Sequence, residues 1–315
     1  MSEIRTDLAI EAHEMCSKEK AEENHLDGID VEEYNADGIY VTVIRVRDKR
    51  GEKILGKPIG KYITIEVPQL KYSNDAYEKA CIEISKQIRS LCDISEDTKT
   101  LVVGLGNKFI TPDALGPEVV ARLMVTNHIK THMSDFLDES YSSVCAIIPG
   151  VLGTTGIETT DIIKGVADKI KPELIIAVDA LASRSIGRIS TTIQISDSGI
   201  NPGSGVENKR SGIDEKSVGT RVIAIGVPTV VDAATIAADS IDMAVSQNGE
   251  LSECMPKINK REIIHKALTG SVGNMMVTPK DIDLVIERAA KTVANGINLA
   301  LHKDLTFEDI ESYVG

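Results

Sequence analysis

Four short aliphatic segments, separated by glycine-containing loops and stretches of helical pattern, constrain the fold of this chain most strongly. Continuous aliphatic strands that alternate with helices are typical of a parallel or mostly parallel sheet between helix layers. The aliphatic segments cover residues 100–104, 143–148, 174–178 and 221–225, and helices are expected at 116–131, 158–170 and 233–245. The rest of the pattern comprises strands at 38–46, 61–67 and 191–195 and helices at 75–91, 279–302 and 307–313. The sequence therefore predicts one large α/β domain.

Composition excludes several classes of function. The 315 residues carry a formal charge of −13 and include no Trp, three Phe and seven Tyr. Neither a basic phosphate-binding surface nor an aromatic platform for nucleic acid is therefore expected. No apolar run reaches the ~20 residues that span a bilayer, and the N-terminus lacks the apolar segment of an export signal. Five scattered cysteines without a CxxC pair are typical of a reduced, cytoplasmic protein without disulfides or a cysteine zinc site.

The N-terminal segment is unusually acidic. Residues 1–34 contain eleven acidic and three basic residues, a formal charge of −8. Such a segment has little apolar surface to offset its ordering entropy, which favours a mobile or loosely docked arm. A solvated helix over about residues 7–23 is an equally good interpretation at this point.

Carboxylates follow the predicted strands at one edge of the sheet. In open α/β sheets, ligands bind at the carboxyl ends of the strands. Asp113 lies in the loop after 100–104, and Asp179 directly follows 174–178. A charge buried at the end of a central strand is costly unless it is used or paired. Two carboxylates in one crevice, one protonated and one ionised, can activate a water molecule, which predicts general acid–base hydrolysis.

Other candidate residues have simpler interpretations. Asp232 precedes a helix and is expected to cap it, and Asp113 could equally be a cap. Asp197 begins an Asp-Ser-Gly sequence, a signature of pepsin-type proteases, but a single copy in an α/β chain is more typical of a turn. His128 and His132 have a spacing that allows metal binding but lack the HExxH pattern, so surface positions are expected.

Several longer motifs together resemble one protein family. The matching stretches are RTDLAIEA, VVGLGN followed by TPDALGP, IPGVLGTTGIET, VDALASRS, TIQISDSGINPGSGVENKR, IAIGVPTVVDAATI and, near the C-terminus, MMVTPKDID. They extend over nearly the whole chain. The sequence resembles the germination proteases of endospore-forming bacteria, which degrade small acid-soluble spore proteins.

The resemblance implies a fold and a chemistry that composition and spacing do not. The fold would be a three-layer α/β/α sandwich with a mostly parallel central sheet, similar to the hydrogenase-maturation proteases. The chain would be an atypical aspartic endopeptidase without metal or cofactor, whose two catalytic aspartates fall on Asp113 of TPDALGP and Asp179 of VDALA. It would act as a homotetramer in the cytoplasm of the forespore or spore core, with small acid-soluble spore proteins as substrates.

The resemblance also implies a zymogen that cleaves its own N-terminus. The family's substrate sites read Thr-Glu-Ile/Phe-Ala and are cut after the Glu. The sequence TDLA at residues 6–9 is similar, so cleavage is expected between Asp7 and Leu8. The expected parts are a propeptide at 1–7, an acidic and mobile arm at 8–34, and a single α/β peptidase domain at 35–315.

Basic side chains are expected to bind the acidic residue that precedes the cleaved bond. Three of them lie in loops at strand ends and are the candidates: Arg184, Lys209 and Arg210. A further hypothesis is that the acidic arm lies across the cleft until acidification alters its charges.

Two other functions stay open. The hydrogenase-maturation proteases use an acidic pair and a histidine around a metal, which makes a metal-assisted peptidase the second hypothesis. No histidine lies in a strand-end loop near Asp113 or Asp179, which disfavours it. The third hypothesis is a non-catalytic α/β module that binds a nucleotide or peptide, and it would tolerate neutralisation of either aspartate.

Overall fold

A mixed β-sheet with helices against it forms the centre of the protein. The computed structural model describes residues 6–19, 26–133, 141–203, 211–247 and 275–314. The strands are β1 (Ile29–Ala36), β2 (Ile39–Val46), β3 (Gly60–Glu66), β4 (Lys99–Gly104), β5 (Ser143–Ile147), β6 (Leu174–Ser183), β7 (Thr192–Ser196), β8 (Arg221–Asp232) and β9 (Met276–Val277). The helices are α1 (Ala9–Glu19), α2 (Lys49–Leu55), α3 (Asn74–Leu91), α4 (Leu115–Val120), α5 (Asn127–His132), α6 (Leu152–Thr155), α7 (Thr159–Ile170), α8 (Glu215–Val218), α9 (Ala233–Gln247), α10 (Ile282–Leu301) and α11 (Phe307–Val314). The α/β class predicted from the strand–helix alternation is confirmed.

The sheet is less parallel than predicted. Its strand order is β1-β2-β3-β7-β8-β6-β4-β5, with β9 paired to β8. β5, β4, β6 and β8 pair in parallel, whereas β1, β2, β3 and β7 form antiparallel pairs with their neighbours. The expectation of a mostly parallel sheet is therefore wrong for the sheet as a whole. Aliphatic runs identify the parallel half, but they do not reveal that the N-terminal strands join the same sheet through β7.

Two central strands extend further than the aliphatic pattern indicates. β6 and β8 pair from Leu174↔Arg221 as far as Ser183↔Val231, with an irregularity after Leu181. Backbone pairing thus continues through polar, glycine and proline residues that ended the predicted strands. Asp179 consequently lies within β6, paired with Gly226, and does not begin a loop.

The helices differ from the sequence predictions at two places. The charged segment between β2 and β3, for which no helix was predicted, contains α2, whose first amides are capped by the Asp48 carboxylate. The helix expected at 116–131 is two shorter helices, α4 and α5. By contrast, the prediction that Asp232 is a helix cap is confirmed, because its Oδ1 accepts bonds from the amides of Ala234 (2.7 Å) and Thr235 (3.2 Å).

Helices pack against both faces of the parallel strands. Ile176 and Val178 of β6 belong to a core cluster that includes residues of α3 and α10. Ile175 and Ala177, which point the other way, belong to a cluster that includes residues of α7 and α8. Burial of β6 on both faces explains its continuous aliphatic sequence. No helix among the described residues, the twenty-residue α10 included, is long and apolar enough to cross a membrane.

Within the acidic N-terminal segment, the structure describes a docked helix, α1, and the first residues of β1. Leu8 and Ala9 are completely buried, and the Glu11 side chain is 2% exposed. The Arg188 guanidinium contacts the carboxylates of Glu11 (3.5 Å), Glu14 (2.6 Å) and Glu66 (3.3 Å), which fastens α1 to the sheet. Of the two interpretations of this segment, the helix is confirmed over residues 9–19, but this helix packs on the core instead of being solvated.

A buried histidine predicts how stability depends on pH. His302 is 1% exposed, and burial lowers its pKa to about 4. The folded state therefore keeps it neutral, whereas the unfolded chain protonates it near its ordinary value of 6.5. Its contribution to stability is complete above that value and is lost as the pH falls from about 6.5 to about 4, by up to about 3 kcal/mol.

His302→Asn should remove this part of the pH dependence. Its side-chain oxygen can replace Nδ1 as the acceptor of the Ser142 amide. Urea unfolding at pH 7 and pH 4 checks the prediction, with His128→Asn, at an exposed site, as the control. Equal losses of stability in wild type and His302→Asn would contradict it.

Candidate active site

A glycine loop at the end of β4 holds the first carboxylate. Gly106 has φ +104°, and a Cβ there would lie 2.1 Å from the carbonyl oxygen of Asp113. Only glycine allows this approach of the two backbone segments. The amide of Asn107 then donates to Asp113 Oδ2 (2.9 Å) as well as to the Asp113 carbonyl (3.0 Å). The helix-cap alternative for Asp113 is wrong, because α4 begins after Ala114 and has no side-chain cap.

Threonine hydroxyl groups attach the same loop to β8. The Thr229 hydroxyl, on β8, donates to the Pro112 carbonyl (2.7 Å). The Thr278 hydroxyl in turn donates to the Thr229 carbonyl (3.0 Å). The turn that carries Asp113 is thus fixed to β8, the strand next to β6.

The second carboxylate lies on β6, next to this loop. Val178 pairs with Gly104, and its carbonyl accepts from the Leu105 amide (2.8 Å). Asp179 is the next residue of β6; it is 5% exposed, and its Oδ1 accepts from the Ala180 amide (2.9 Å). Because Gly104 and Val178 are paired, the loop that carries Asp113 begins next to Asp179.

Both aspartates line one cavity of about 370 Å³. Most of its other walls are aliphatic side chains and backbone of the surrounding loops. They include Leu105, Ile110, Pro112, Val151, Leu181, Val230 and Met276. A cavity of this size admits a peptide segment and water, and apolar walls strengthen the electrostatic interactions of the carboxylates with what binds there.

A third aspartate lines the same cavity, and it comes from the N-terminal segment. The Asp7 amide donates to the Ala182 carbonyl (3.0 Å), and its Oδ2 accepts from the Ala182 amide (2.8 Å). Asp7 is thereby attached to β6 three residues beyond Asp179. The bond expected to be cleaved, between Asp7 and Leu8, begins at a residue that lines the cavity of Asp113 and Asp179.

Two residues that the sequence analysis did not identify contact this bond. Lys57 Nζ and Gln194 Nε2 both donate to the carbonyl oxygen of Asp7, at 2.9 and 3.2 Å. Lys57 follows α2, and Gln194 lies on β7. No sequence pattern connects them, because only the docking of residues 6–9 on the sheet brings them together.

The basic residues expected to bind an acidic substrate residue are not in this cavity as far as the structure describes them. Arg184 Nη2 contacts Asp239 (3.3 Å) in a separate polar cavity. Arg184 directly follows β6 and lines this second cavity, whereas Asp113 and Asp179 line the first. Lys209 and Arg210 lie outside the described residues.

The remaining candidate residues, Asp197, His128 and His132, have structural rather than catalytic explanations. Asp197 is exposed, and its Oδ1 accepts from the Lys61 amide (2.7 Å), so its interpretation as a turn is confirmed. His128 and His132 are exposed on α5, as expected. Within the described ranges, no group of three or more His, Cys, Asp or Glu side chains could hold a metal ion.

Comparison with known proteins decides the family. The family model described as germination protease matches residues 9–253 and 249–314. The chain belongs to the germination protease family. A germination protease of Clostridium tetani is 44% identical over 99% of both chains. One of Caldanaerobacter subterraneus subsp. tengcongensis is 46% identical over 98% of this chain and 97% of its own, and one of Bacillus licheniformis is 39% identical over 98% and 96%. The resemblance predicted from the motifs is thereby confirmed, and membership of the germination protease family makes the chain a peptidase.

Proposed function

We propose that this chain is the endopeptidase that initiates the degradation of small acid-soluble spore proteins during germination, and that Asp113 and Asp179 hydrolyse the peptide bond. The observation that carries this proposal is the shared cavity, in which backbone amides hold both carboxylates. Peptide hydrolysis needs a base that takes a proton from water and an acid that gives one to the leaving nitrogen. Two carboxylates that share one proton supply both.

The proposal includes a zymogen that cleaves itself between Asp7 and Leu8. Asp7 lines the cavity of the aspartate pair, which supports a role of this segment as the chain's own substrate. Residues 1–7 would then be the propeptide. The Asp7 carboxylate accepts a hydrogen bond from a backbone amide of β6, which supports recognition of the acidic residue before the cleaved bond by the strand itself.

Further parts of the proposal concern architecture and setting. The two helix-covered faces of β6 support a three-layer α/β/α sandwich similar to the hydrogenase-maturation proteases. Homotetramer formation and location in the forespore or spore core are proposed by analogy with the family. They rest on the resemblance alone.

The alternatives make different predictions. A metal-assisted peptidase would lose activity with a chelator, whereas an aspartate pair would not. A non-catalytic binding module would release no peptide fragment under any condition. Both alternatives are therefore outcomes of a single assay.

Cleavage of a synthetic peptide tests the proposal. Purified protein from which residues 1–7 have been removed is incubated with a peptide containing Thr-Glu-Ile-Ala and with a matched peptide containing Thr-Gln-Ile-Ala, each with and without chelator. We expect one cut, after the Glu, unaffected by chelator, and at least about tenfold slower cutting of the Gln peptide because a charge-assisted hydrogen bond is lost. Absence of fragments would overturn the proposal, and loss of cutting with chelator would favour the metal-assisted reaction.

A further inference from the structure

The carbonyl group of Asp7 is held by two side-chain donors. Lys57 Nζ lies 2.9 Å and Gln194 Nε2 lies 3.2 Å from its oxygen. Lys57 Nζ also contacts the Thr6 carbonyl at 3.2 Å. One hydrogen bond is enough to satisfy a buried backbone carbonyl. This carbonyl has two donors, and one of them is a cation, which makes a stronger hydrogen bond.

Gln194 also binds the backbone on the other side of Leu8. While its Nε2 donates to the Asp7 carbonyl, its Oε1 accepts from the Ala9 amide at 2.7 Å. One carboxamide thus bridges the groups on either side of Leu8, whose side chain is completely buried. Residues 7–9 are therefore held in one geometry around the Asp7–Leu8 bond.

Asp7 lies between two cavities. One is the cavity of Asp113 and Asp179, and the other, of about 130 Å³, is lined by Lys57 and Gln194 among others. Asp7 contributes to the walls of both. Asp7 thus takes part in the wall of the cavity that holds the aspartates, while its carbonyl oxygen is held by the ammonium group of Lys57.

The surroundings of Lys57 strengthen its effect on a negative charge. Burial lowers the pKa of its ammonium group, while the carboxylates of Asp7 and Glu11 raise it. A partly desolvated ammonium interacts more strongly with a nearby oxygen than one in water does, since the local dielectric constant is lower.

We infer that Lys57 and Gln194 form the site that stabilises the oxyanion of residue 7 when the Asp7–Leu8 bond is hydrolysed. The inference rests on the proposed self-cleavage and adds two catalytic residues to the aspartate pair. Donors directed at the oxygen that becomes negative in the transition state commonly accelerate acyl transfer about 10²–10³-fold each.

The reaction balances with these groups. The ionised aspartate takes a proton from water as the hydroxide oxygen bonds to the Asp7 carbonyl carbon, and the carbonyl electron pair moves to the oxygen held by Lys57 and Gln194. When that pair returns, the C–N bond breaks, and the proton of the other aspartate passes to the Leu8 nitrogen. The products are the carboxyl group of Asp7 and the free amine of Leu8, and the aspartate pair again holds one proton.

Self-cleavage of the full chain tests the inference. Intact-mass spectrometry follows the loss of residues 1–7 in wild type, Lys57→Met, Lys57→Arg and the control Lys61→Met, whose ammonium contacts Ser90. Hydrogen exchange of residues 6–12 is measured on the same proteins. We expect Lys57→Met to trim at least about 100-fold more slowly with unchanged exchange, Lys57→Arg to recover part of the rate, and Lys61→Met to equal wild type.

The outcomes separate this inference from the proposed function. A wild-type chain that keeps residues 1–7 would overturn the self-cleavage and the inference together. A wild-type chain that trims while Lys57→Met trims equally fast would overturn the inference alone. Slow trimming of Lys57→Met accompanied by fast exchange of residues 6–12 would also overturn it, since Lys57 would then only dock the segment.

Discussion

Replacing Asp113 or Asp179 with asparagine should lower the rate of peptide hydrolysis at least about 10³-fold, because either change removes a group that must carry or accept a proton. The double variant Asp113→Asn/Asp179→Asn should be no slower than the slower single variant. Residues that act as a unit have strongly non-additive effects, so the second change removes nothing further. The rate is measured with the Thr-Glu-Ile-Ala peptide.

The same substitutions should leave the fold intact. The carboxylate of each aspartate accepts a backbone amide, from Asn107 to Asp113 and from Ala180 to Asp179, and an asparagine oxygen can accept the same bond. We therefore expect the free energy of unfolding to change by no more than about 1 kcal/mol. Asp197→Asn is the matched control, because Asp197 also accepts a backbone amide but is exposed and lies outside the cavity. An active Asp179→Asn protein, or an equal loss in Asp197→Asn, would contradict the assignment.

Wild-type protein should fail to trim an inactive chain mixed with it. Leu8 and Ala9 are completely buried, and Asp7 is paired with Ala182. Presenting the bond to another molecule's cavity would expose Leu8, at a cost of about 1.5–3 kcal/mol, and would break the contacts to Ala182 and Lys57 as well. We expect the inactive chain to be trimmed at least about 100-fold more slowly than wild type trims itself.

A mass-labelled Asp179→Asn chain makes this prediction measurable. It is mixed with unlabelled wild type, and the intact masses of both are followed over time. A labelled chain with Ala12→Asp in addition serves as the comparison, because a carboxylate at this buried position of α1 should release the segment while the sequence around the Asp7–Leu8 bond stays unchanged. Trimming of labelled Asp179→Asn at the wild-type rate would contradict cleavage within the chain.

The sequence was sufficient to predict two carboxylates that line the cavity, Asp113 and Asp179, but not the shape around them. Aliphatic runs identified the parallel strands, and the rule that ligands bind at strand ends led to Asp113 and Asp179. Continuation of β6 through Asp179 could not be predicted, because strand pairing with β8 overrides the interruption of the aliphatic pattern. In the antiparallel half, β2, β3 and β7 were predicted, whereas β1 and the connection of these strands to the sheet through β7 were not, since pairing partners depend on tertiary structure.

The docking of the N-terminal segment could not be predicted from the sequence either. Its net charge favoured an arm with little contact to the core, whereas a few apolar residues around Leu8 are enough to dock it. In its described part, Glu11 is compensated individually, by Arg188 and by the amides of Arg184 and Ser185. Composition averages over a segment and cannot show such individual pairing.

The measurement that tests the account most directly is intact-mass spectrometry of wild type, Asp113→Asn, Asp179→Asn and Asp197→Asn at neutral and mildly acidic pH, each with and without chelator. The account predicts loss of residues 1–7 in wild type and Asp197→Asn, independent of chelator, and an untrimmed mass in the other two variants. Equal trimming of Asp113→Asn or Asp179→Asn, or no trimming of wild type under any of these conditions, would contradict it.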